Sequence, residues 1–314
     1  MTAPTPADAP APTVAHRAEY WALRVLVGAL DTVSLPRAAA FGERIGSLGY
    51  RPLGIRRGTV ERQVAAAFPG LDREAVDRIA RGAYEHLGRT VVEAALMSTL
   101  GPQDVLDMFE GTDNWSTVER AMAMGKGCIF VTGHLGNWEL GGAWLAARGI
   151  PLDVIVRRMG NPLFDRYLNE TRAKLGMHVV YDSEAVRRTP RSLREGRAIA
   201  FLADQGVLGL ASTFVPFFGR PAKTPRGPAV FALRMGVPTI FALPLRQPSG
   251  KYRFSFEAVT VEDTGDRERD VDAIVACYTK ILERWVRRAP EQYLWHHRRW
   301  RRQPADTPPE LREP

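Results

Sequence analysis

A histidine and a glutamate lie in one short glycine-containing segment, Gly133-His-Leu-Gly-Asn-Trp-Glu139. The segment follows the apolar run Cys128-Ile-Phe-Val-Thr132, which is typical of a strand that ends in a turn. Open α/β sheets place their chemistry at the carboxyl ends of strands. A neutral imidazole, with an unperturbed pKa near ~6.5, accepts a proton from a hydroxyl best when a carboxylate holds its other ring nitrogen. We therefore interpret His134 and Glu139 as a catalytic pair.

This interpretation requires a particular local geometry. On one continuous helix the two side chains would lie about 140° apart and could not meet. Contact requires Gly133 and Gly136 to form a tight turn and Asn137 to cap a helix that continues to Ala147. The helix amino terminus would then favour an anionic group. The alternative is a glycine-rich turn whose histidine only hydrogen-bonds its own loop, and the spacing alone leaves both open.

Three further segments accompany this motif. They are Asp204-Gln205 after the apolar run Ala198-Ile-Ala-Phe-Leu-Ala203, then Phe214-Val-Pro-Phe-Phe-Gly219 with Lys223-Thr224, and Pro290-Glu-Gln-Tyr-Leu-Trp-His-His-Arg-Arg-Trp300. Together with the first motif, and in the same order, they resemble the late acyltransferases of lipid A biosynthesis. This lauroyl/myristoyl acyltransferase family also includes the phosphatidylinositol mannoside acyltransferases. The resemblance covers roughly residues 15–302.

The resemblance implies an enzyme that moves a fatty acyl chain from an acyl carrier protein or coenzyme A thioester to a hydroxyl of a membrane lipid. Lipid A precursors and related glycolipids are the first acceptors to consider, and phosphatidylinositol mannosides, lysophospholipids and aminolipids stay open. His134 matches the family's base and Glu139 the acid of its His-x4-Asp/Glu motif. By order and approximate spacing, Arg172 and Asp204 match two further catalytic positions.

These matches imply a reaction without a cofactor, a metal or a covalent enzyme intermediate. Glu139 would orient His134, backbone amides near Gly133–Gly136 or the Arg172 side chain would stabilise the oxyanion, and Asp204 would hold an arginine or the acceptor. A serine acyl-enzyme is disfavoured because the chain has no Gly-x-Ser-x-Gly motif. The substrate-binding residues expected around this centre are Asn137, Gln205, Phe214, Phe217 and Phe218.

The net charge of +8 is concentrated toward the C-terminus. Arginines interleaved with tryptophans suit an anionic membrane surface. The residues predicted to contact the membrane are Trp285, Arg298, Arg299, Trp300 and Arg301. Nucleic-acid binding and a plain solvated basic face are the alternatives, but no zinc-finger spacing or RNA-binding aromatic signature supports nucleic acid.

Two other classes of protein compete with the acyltransferase. A metal-dependent hydrolase could use His134, Glu139 and Asp204 as ligands. A noncatalytic membrane-binding protein would need only the basic C-terminal segment. With two cysteines the chain predicts neither a disulfide framework nor a cysteine metal cluster.

Hydrophobic periodicity predicts an α/β fold with a largely parallel central sheet flanked by helices, and the resemblance implies that this fold is of glycerolipid-acyltransferase type. We expect one domain over 15–302, helical over 15–110 and α/β over 111–302, between a disordered tail at 1–14 and a loose tail at 303–314. Residues 204–224 are expected to form a long loop, and the resemblance implies that this loop lines an acyl groove. The apolar run Tyr20–Leu30 is too short for a span. Because the resemblance implies a membrane lipid as acceptor, we expect peripheral or weakly anchored attachment to the cytoplasmic face of the inner membrane.

Overall fold

An N-terminal helical region precedes the sheet in the computed structural model of this chain, which describes residues 11–206 and 211–314. Its helices are α1 (Val14–Leu30), α2 (Leu35–Tyr50), α3 (Arg57–Ala67), α4 (Arg73–Leu96) and α5 (Pro102–Asp107). Side chains cap two of them: Thr13 accepts a hydrogen bond from the His16 N–H at α1, and Asp72 accepts one from the Ala75 N–H at α4. The predicted helical N-terminal region is confirmed.

A seven-stranded sheet forms the centre of the molecule. Its strands are β1 (Phe109–Asp113), β2 (Cys128–Thr132), β3 (Leu152–Val156), β4 (His178–Tyr181), β5 (Ala198–Leu202), β8 (Thr239–Arg246) and β9 (Tyr252–Ala258). Their spatial order is β1-β9-β8-β2-β5-β3-β4. The five strands from β8 to β4 are parallel, whereas β9 is antiparallel to β8 and parallel to β1. The predicted largely parallel sheet is therefore confirmed.

Among the residues that the structure describes, six α-helices accompany the strands: α6 (Trp115–Ala123), α7 (Trp138–Ala147), α8 (Pro162–Lys174), α9 (Ala185–Arg194), α10 (Gly227–Met235) and α11 (Arg267–Arg288). Alternation along β2 shows how both faces are covered. Ile129 and Val131 join the apolar core with α10 and α11, while Cys128 and Phe130 join the core with α7. Both faces of the central strands are therefore buried, which explains their continuous apolar runs.

Three of the described strands, β1 and the two strands of a hairpin, were not predicted. The edge strand β1 contains Gly111 and three polar residues, so its sequence carries no strand pattern. The expected loop at 204–224 contains the antiparallel hairpin β6 (Ser212–Phe217) and β7 (Arg220–Pro225), while residues 207–210 lie outside the described part of the chain. Prolines at 216, 221 and 225 disfavour a central strand, but this hairpin is a separate two-stranded sheet and tolerates them.

The C-terminal tail is packed, so the prediction of a loose segment at 303–314 is wrong. The Gln303 amide donates hydrogen bonds to the carbonyl oxygens of Leu311 (2.6 Å) and Pro221 (3.3 Å). Arg298 donates to the carboxylate of Glu313 over 2.6 Å. These partners are distant in sequence, which is why composition alone did not reveal them.

Helix α1 packs by one face only. Tyr20, Leu23, Val27 and Leu30 contact the apolar cluster formed with α4 and α8. Within 11–206 and 211–314, no helix has both the length and the apolar character that crossing a bilayer requires.

His86 on α4 supplies the first prediction. Its Nε2 lies 3.0 Å from the carbonyl oxygen of Gly136, and burial, which outweighs that hydrogen bond, lowers the pKa of His86 to about 4. The folded state thus binds a proton less readily than the unfolded state, so this contribution to stability is present above pH ~6.5 and is lost as pH falls toward 4. Between pH 7 and 5 we expect this group alone to remove roughly 2 kcal/mol of unfolding free energy.

Urea denaturation of wild type and His86→Gln at both pH values measures this contribution. The variant should lose less stability on acidification than wild type. His16→Gln in the first turn of α1 serves as the matched control and should behave as wild type. An unchanged pH dependence in His86→Gln would contradict the prediction.

Candidate active site

The turn between β2 and α7 has the geometry that the sequence predicted. Gly136 adopts a left-handed conformation with φ +68°, and a Cβ at this position would lie 1.8 Å from the carbonyl oxygen of Pro244. A side chain cannot fit there without moving the backbone. Asn137 caps α7 because its Oδ1 accepts a hydrogen bond from the Leu140 N–H over 3.1 Å. The turn therefore leaves His134 in the loop and Glu139 in the first turn of α7.

Asp204, and not Glu139, is the partner of His134. The Nδ1 atom of His134 lies 2.7 Å from Asp204 Oδ1, and the His134 backbone N–H donates to Oδ2 over 2.9 Å. The cause is strand register: Thr132 of β2 pairs with Leu202 of β5, so residues two positions later stand side by side. The prediction that Glu139 orients His134 is wrong.

The electrostatics of this pair favour a charged carboxylate. Burial by itself would raise the pKa of Asp204, but the charge and hydrogen bonds of His134 outweigh it and lower the pKa to about 2. An ionised Asp204 holds a proton on Nδ1 and so leaves Nε2 as the basic nitrogen. Trp138 packs its ring edge-on against the imidazole, 4.7 Å between centroids, and the Gln205 amide nitrogen lies 3.2 Å from Nδ1.

Glu139 instead forms a two-pronged ion pair with Arg172. Arg172 donates from Nε to Oε2 over 3.0 Å and from Nη2 to Oε1 over 2.5 Å, and its Nη1 donates to Asn169 over 2.7 Å. Burial acts to lower the pKa of Arg172, but Glu139 outweighs it and raises the pKa. Of the four predicted catalytic residues, the structure therefore brings together two pairs, His134 with Asp204 and Glu139 with Arg172.

Backbone amides of the turn are already engaged. The His134 N–H donates to Asp204, the Leu135 N–H to the carbonyl of Gly133, and the Gly136 N–H to the carbonyl of Gln292. These groups cannot also bind an oxyanion without losing those bonds. An oxyanion role for these three amides is therefore not supported, whereas Arg172 lines the cavity described below as a cation.

Both pairs border one cavity of about 520 Å³. His134, Glu139, Arg172 and Gln205 line it together with apolar side chains from the sheet and from α7, α9 and α10. This volume lies within the range of roughly 300–1,000 Å³ typical of ligand sites. The arrangement can hold an aliphatic ligand with its reacting group beside a base.

Four of the predicted substrate-binding residues do not line this cavity. Phe217 and Phe218 are buried in the core under Trp295 and Trp300, and Phe214 is on the exposed side of the β6–β7 hairpin. Asn137 is fully buried and donates to Glu93 over 2.9 Å. Gln205 alone lies where it was expected, in the cavity wall. The aromatics cover the core because the hairpin packs on α11 instead of standing open.

The C-terminal segment is also placed differently from the prediction. Arg299 (3% exposed) and Trp300 (0%) are buried, with Arg299 donating to Thr224 and Trp300 donating to the carbonyl of Phe217. They are therefore not membrane contacts. Arg298 and Arg301 are exposed, and Trp285 is half-buried and donates to Glu257.

Sequence reasoning missed that this segment supports the site. Leu294 N–H donates to the carbonyl of His134 over 2.9 Å, and Tyr293 forms a bridge with Leu135. Burial and the nearby Asp204 carboxylate raise the pKa of Tyr293 far above its usual value, while Arg299 adds positive charge behind Asp204. The signal in the sequence is the mixture of Trp, Tyr and Arg, which fits a buried support of the site as well as the membrane-contact surface predicted above.

The positions of the proposed metal ligands do not support the metal-ligand hypothesis. It required His134, Glu139 and Asp204 to converge, but Glu139 is bound to Arg172. Across the parts of the chain that the structure describes, no group of three histidine, cysteine, aspartate or glutamate side chains is placed to hold a metal ion.

Comparison with known proteins gives the family. A family model described as bacterial lipid A biosynthesis acyltransferase matches residues 10–302. The chain is 28% identical to the lipid A biosynthesis palmitoleoyltransferase of Escherichia coli K12 over 275 residues, 86% of this chain and 87% of the relative. It is 24% identical to the lauroyltransferase of that organism over 92% of this chain and 94% of the relative.

A third relative matches a shorter part of the chain. The phosphatidylinositol mannoside acyltransferase of Mycobacterium tuberculosis H37Rv is 30% identical over 124 residues, 38% of this chain and 39% of the relative. Because the family model spans nearly the whole chain, this protein belongs to the bacterial lipid A biosynthesis acyltransferase family.

Proposed function

We propose that this protein transfers a fatty acyl chain from an acyl carrier protein or coenzyme A thioester to a hydroxyl of a lipid A precursor or related glycolipid. One observation carries the proposal: the His134–Asp204 pair opens onto a cavity whose walls are mostly apolar. Lipid A acceptors are favoured over phosphatidylinositol mannosides because the relatives named for lipid A cover most of the chain.

The reaction begins with removal of a proton. Nε2 of His134 takes the proton of the acceptor hydroxyl as its oxygen attacks the thioester carbonyl carbon. The carbon–sulfur bond then breaks, and the imidazolium returns the proton to the leaving thiolate. Asp204 stabilises the imidazolium between these steps, so proton and charge balance without a covalent enzyme intermediate.

Arg172 supplies positive charge while the carbonyl oxygen becomes negative. Its guanidinium lines the cavity and is held by both carboxylate oxygens of Glu139. A cation fixed in advance stabilises developing charge without reorganising at the moment of reaction. Glu139 is thus a positioning residue for Arg172. Binding of the fatty chain follows from apolar burial, which contributes about 0.8 kcal/mol per methylene.

Membrane association is the second part of the proposal, and it uses the apolar run Tyr20–Leu30 and helix α2 instead of the predicted C-terminal contacts. Trp21 (65% exposed), Val25 (70%), Phe41, Ile45 and Leu48 present large apolar side chains on α1 and α2, and we call this the α1–α2 surface. Residues 11–57 also contain seven arginines against three acidic residues. Exposed apolar groups interleaved with cations suit peripheral binding to an anionic bilayer on the cytoplasmic face of the inner membrane.

The first functional prediction concerns the base pair. His134→Ala should lower the transfer rate by about 10²–10⁴, because a general base typically contributes that much. Asp204→Asn should cause a loss of similar size, since an uncharged partner no longer stabilises the imidazolium. Radiolabelled acyl transfer to purified lipid A precursor measures both rates. Wild-type turnover in a folded His134→Ala protein would remove this residue from the mechanism.

Substitution of Glu139 tests whether this residue acts on Arg172 or on the base His134. Glu139→Gln keeps the shape of the side chain but frees Arg172, so kcat should fall while the pH dependence of the rate keeps the wild-type form. Asp204→Asn, in contrast, should change that pH profile. Steady-state rates across pH 5–9 measure both variants. A Glu139→Gln profile that matches Asp204→Asn would show that Glu139 acts on His134 after all.

The membrane proposal is tested by placing acidic residues on the α1–α2 surface. Trp21→Glu with Val25→Glu should reduce sedimentation with phosphatidylglycerol-containing vesicles, because two exposed apolar side chains no longer insert. Leu71→Glu with Met124→Glu alters two exposed apolar residues elsewhere and is the matched control. Arg298→Gln with Arg301→Gln should retain vesicle binding. Unchanged sedimentation of a folded Trp21/Val25 variant would contradict the proposal.

A further inference from the structure

Strands β3 and β5 separate before they end. They pair only from Leu152 with Ala198 to Val154 with Ala200. Beyond that point β3 continues to pair with β4 as far as Val156, and β5 continues with β2 as far as Leu202. The central sheet therefore opens between these two strands at its carboxyl edge.

The cavity passes through this opening. Ile155 and Val156 of β3 and Phe201 and Leu202 of β5 all line it. Since side chains alternate along a strand, these residues supply walls on both faces of the sheet. Ile155 and Phe201 belong with the core beside α10, whereas Val154 and Ala200 belong with the core beside α7.

The residues that line the cavity form two groups that differ in exposure, and we call the spaces beside them the deep arm and the open arm. The deep arm lies between α7 and the sheet, and Phe130, Leu145 and Phe254 line it with at most 2% of each residue exposed. The open arm lies beside α9 and α10, where Val186 (77% exposed) and Val230 (36%) form an accessible rim.

We infer that the two arms bind two different hydrocarbon chains, the transferred acyl chain in the deep arm and a chain of the acceptor lipid in the open arm. This inference rests on the proposed acyltransferase function. A chain that arrives on a water-soluble donor must be sheltered along its whole length, which the deep arm provides. An acceptor that stays in the bilayer needs only a rim through which one chain can slide.

Polar residues at the opening agree with this division. His134 and Gln205 line the cavity where β2 and β5 end, close to the separation of β3 and β5. Arg234 also lines the cavity and lies one helical turn from Val230 on α10. A cation beside the open arm suits an acceptor that carries an anionic group near its chains.

Ala200 and Leu145 are the positions that test the deep arm. Ala200 lies on a central strand yet keeps some accessible surface, because it faces the cavity. Ala200→Leu should fill part of the arm, and loss of room costs about fourfold in kcat/KM per excluded methylene. We expect the longest acyl donors to lose tenfold or more while shorter donors are retained. Leu145→Ala should enlarge the arm and shift the preference toward longer donors, a gain that misfolding cannot produce.

Val230→Trp tests the open arm and is the matched control for donor length. It should raise the KM for the membrane acceptor severalfold and leave the order of preference among donors unchanged. The experiment uses the full chain, acyl carrier protein thioesters of increasing even chain length, and a lipid A precursor in detergent, with thermal melting of each variant. Ala200→Leu should in turn leave the acceptor KM unchanged.

The outcomes separate this inference from the proposed function. Absence of turnover by wild type with every thioester donor would overturn the proposed function itself. Turnover by wild type in which Ala200→Leu and Val230→Trp alter the same substrate parameter would overturn the two-arm assignment alone. A reversed pattern, with Val230→Trp changing donor length preference, would also overturn it.

Discussion

The register between β2 and β5 is the constraint on which the site depends. These neighbouring parallel strands pair over their full length, and each is followed at the same distance by one member of the His134–Asp204 pair. Sliding one strand by a single residue would separate the imidazole from the carboxylate and turn buried side chains to the opposite face of the sheet. The pair is therefore fixed by the same hydrogen bonds that hold the centre of the fold together.

Parts of the chain that are distant in sequence hold the turn from the other side. His86 and Glu93 of α4 reach the turn through Gly136 and Asn137, and Arg246 is paired with Glu93 behind it. On the opposite side of the turn, the Leu294 N–H donates a hydrogen bond to the carbonyl oxygen of His134. The N-terminal helices and the C-terminal segment thus share one task, which is to keep the imidazole in a single orientation beside the cavity.

Apolar side chains and arginines have different surroundings in different parts of the protein. Apolar groups at the sheet opening are turned inward and form the cavity, whereas those on α1 and α2 are turned outward. Arginine has equally different surroundings along the chain. Arg299 is buried against hydrogen-bond acceptors near the site, while Arg298 is exposed and paired with Glu313. Arginine therefore supports the site from a buried position at 299 and forms a surface ion pair at 298.

The sequence by itself determined the fold class, the central strands and the turn that carries His134, because these depend on local signals. Apolar runs marked β2 and β5, and Gly136 with Asn137 marked the turn and the helix cap. What only the tertiary structure decided is which acid meets which base: Asp204 reaches His134 through the pairing of neighbouring strands, whereas Glu139, although close in sequence, lies on a helix that presents it to Arg172. The spacing of residues along the chain does not predict the register between two strands. The residue type alone does not show whether an arginine is exposed or buried. The physical reason in both cases is that pairing and burial are set by residues distant in sequence.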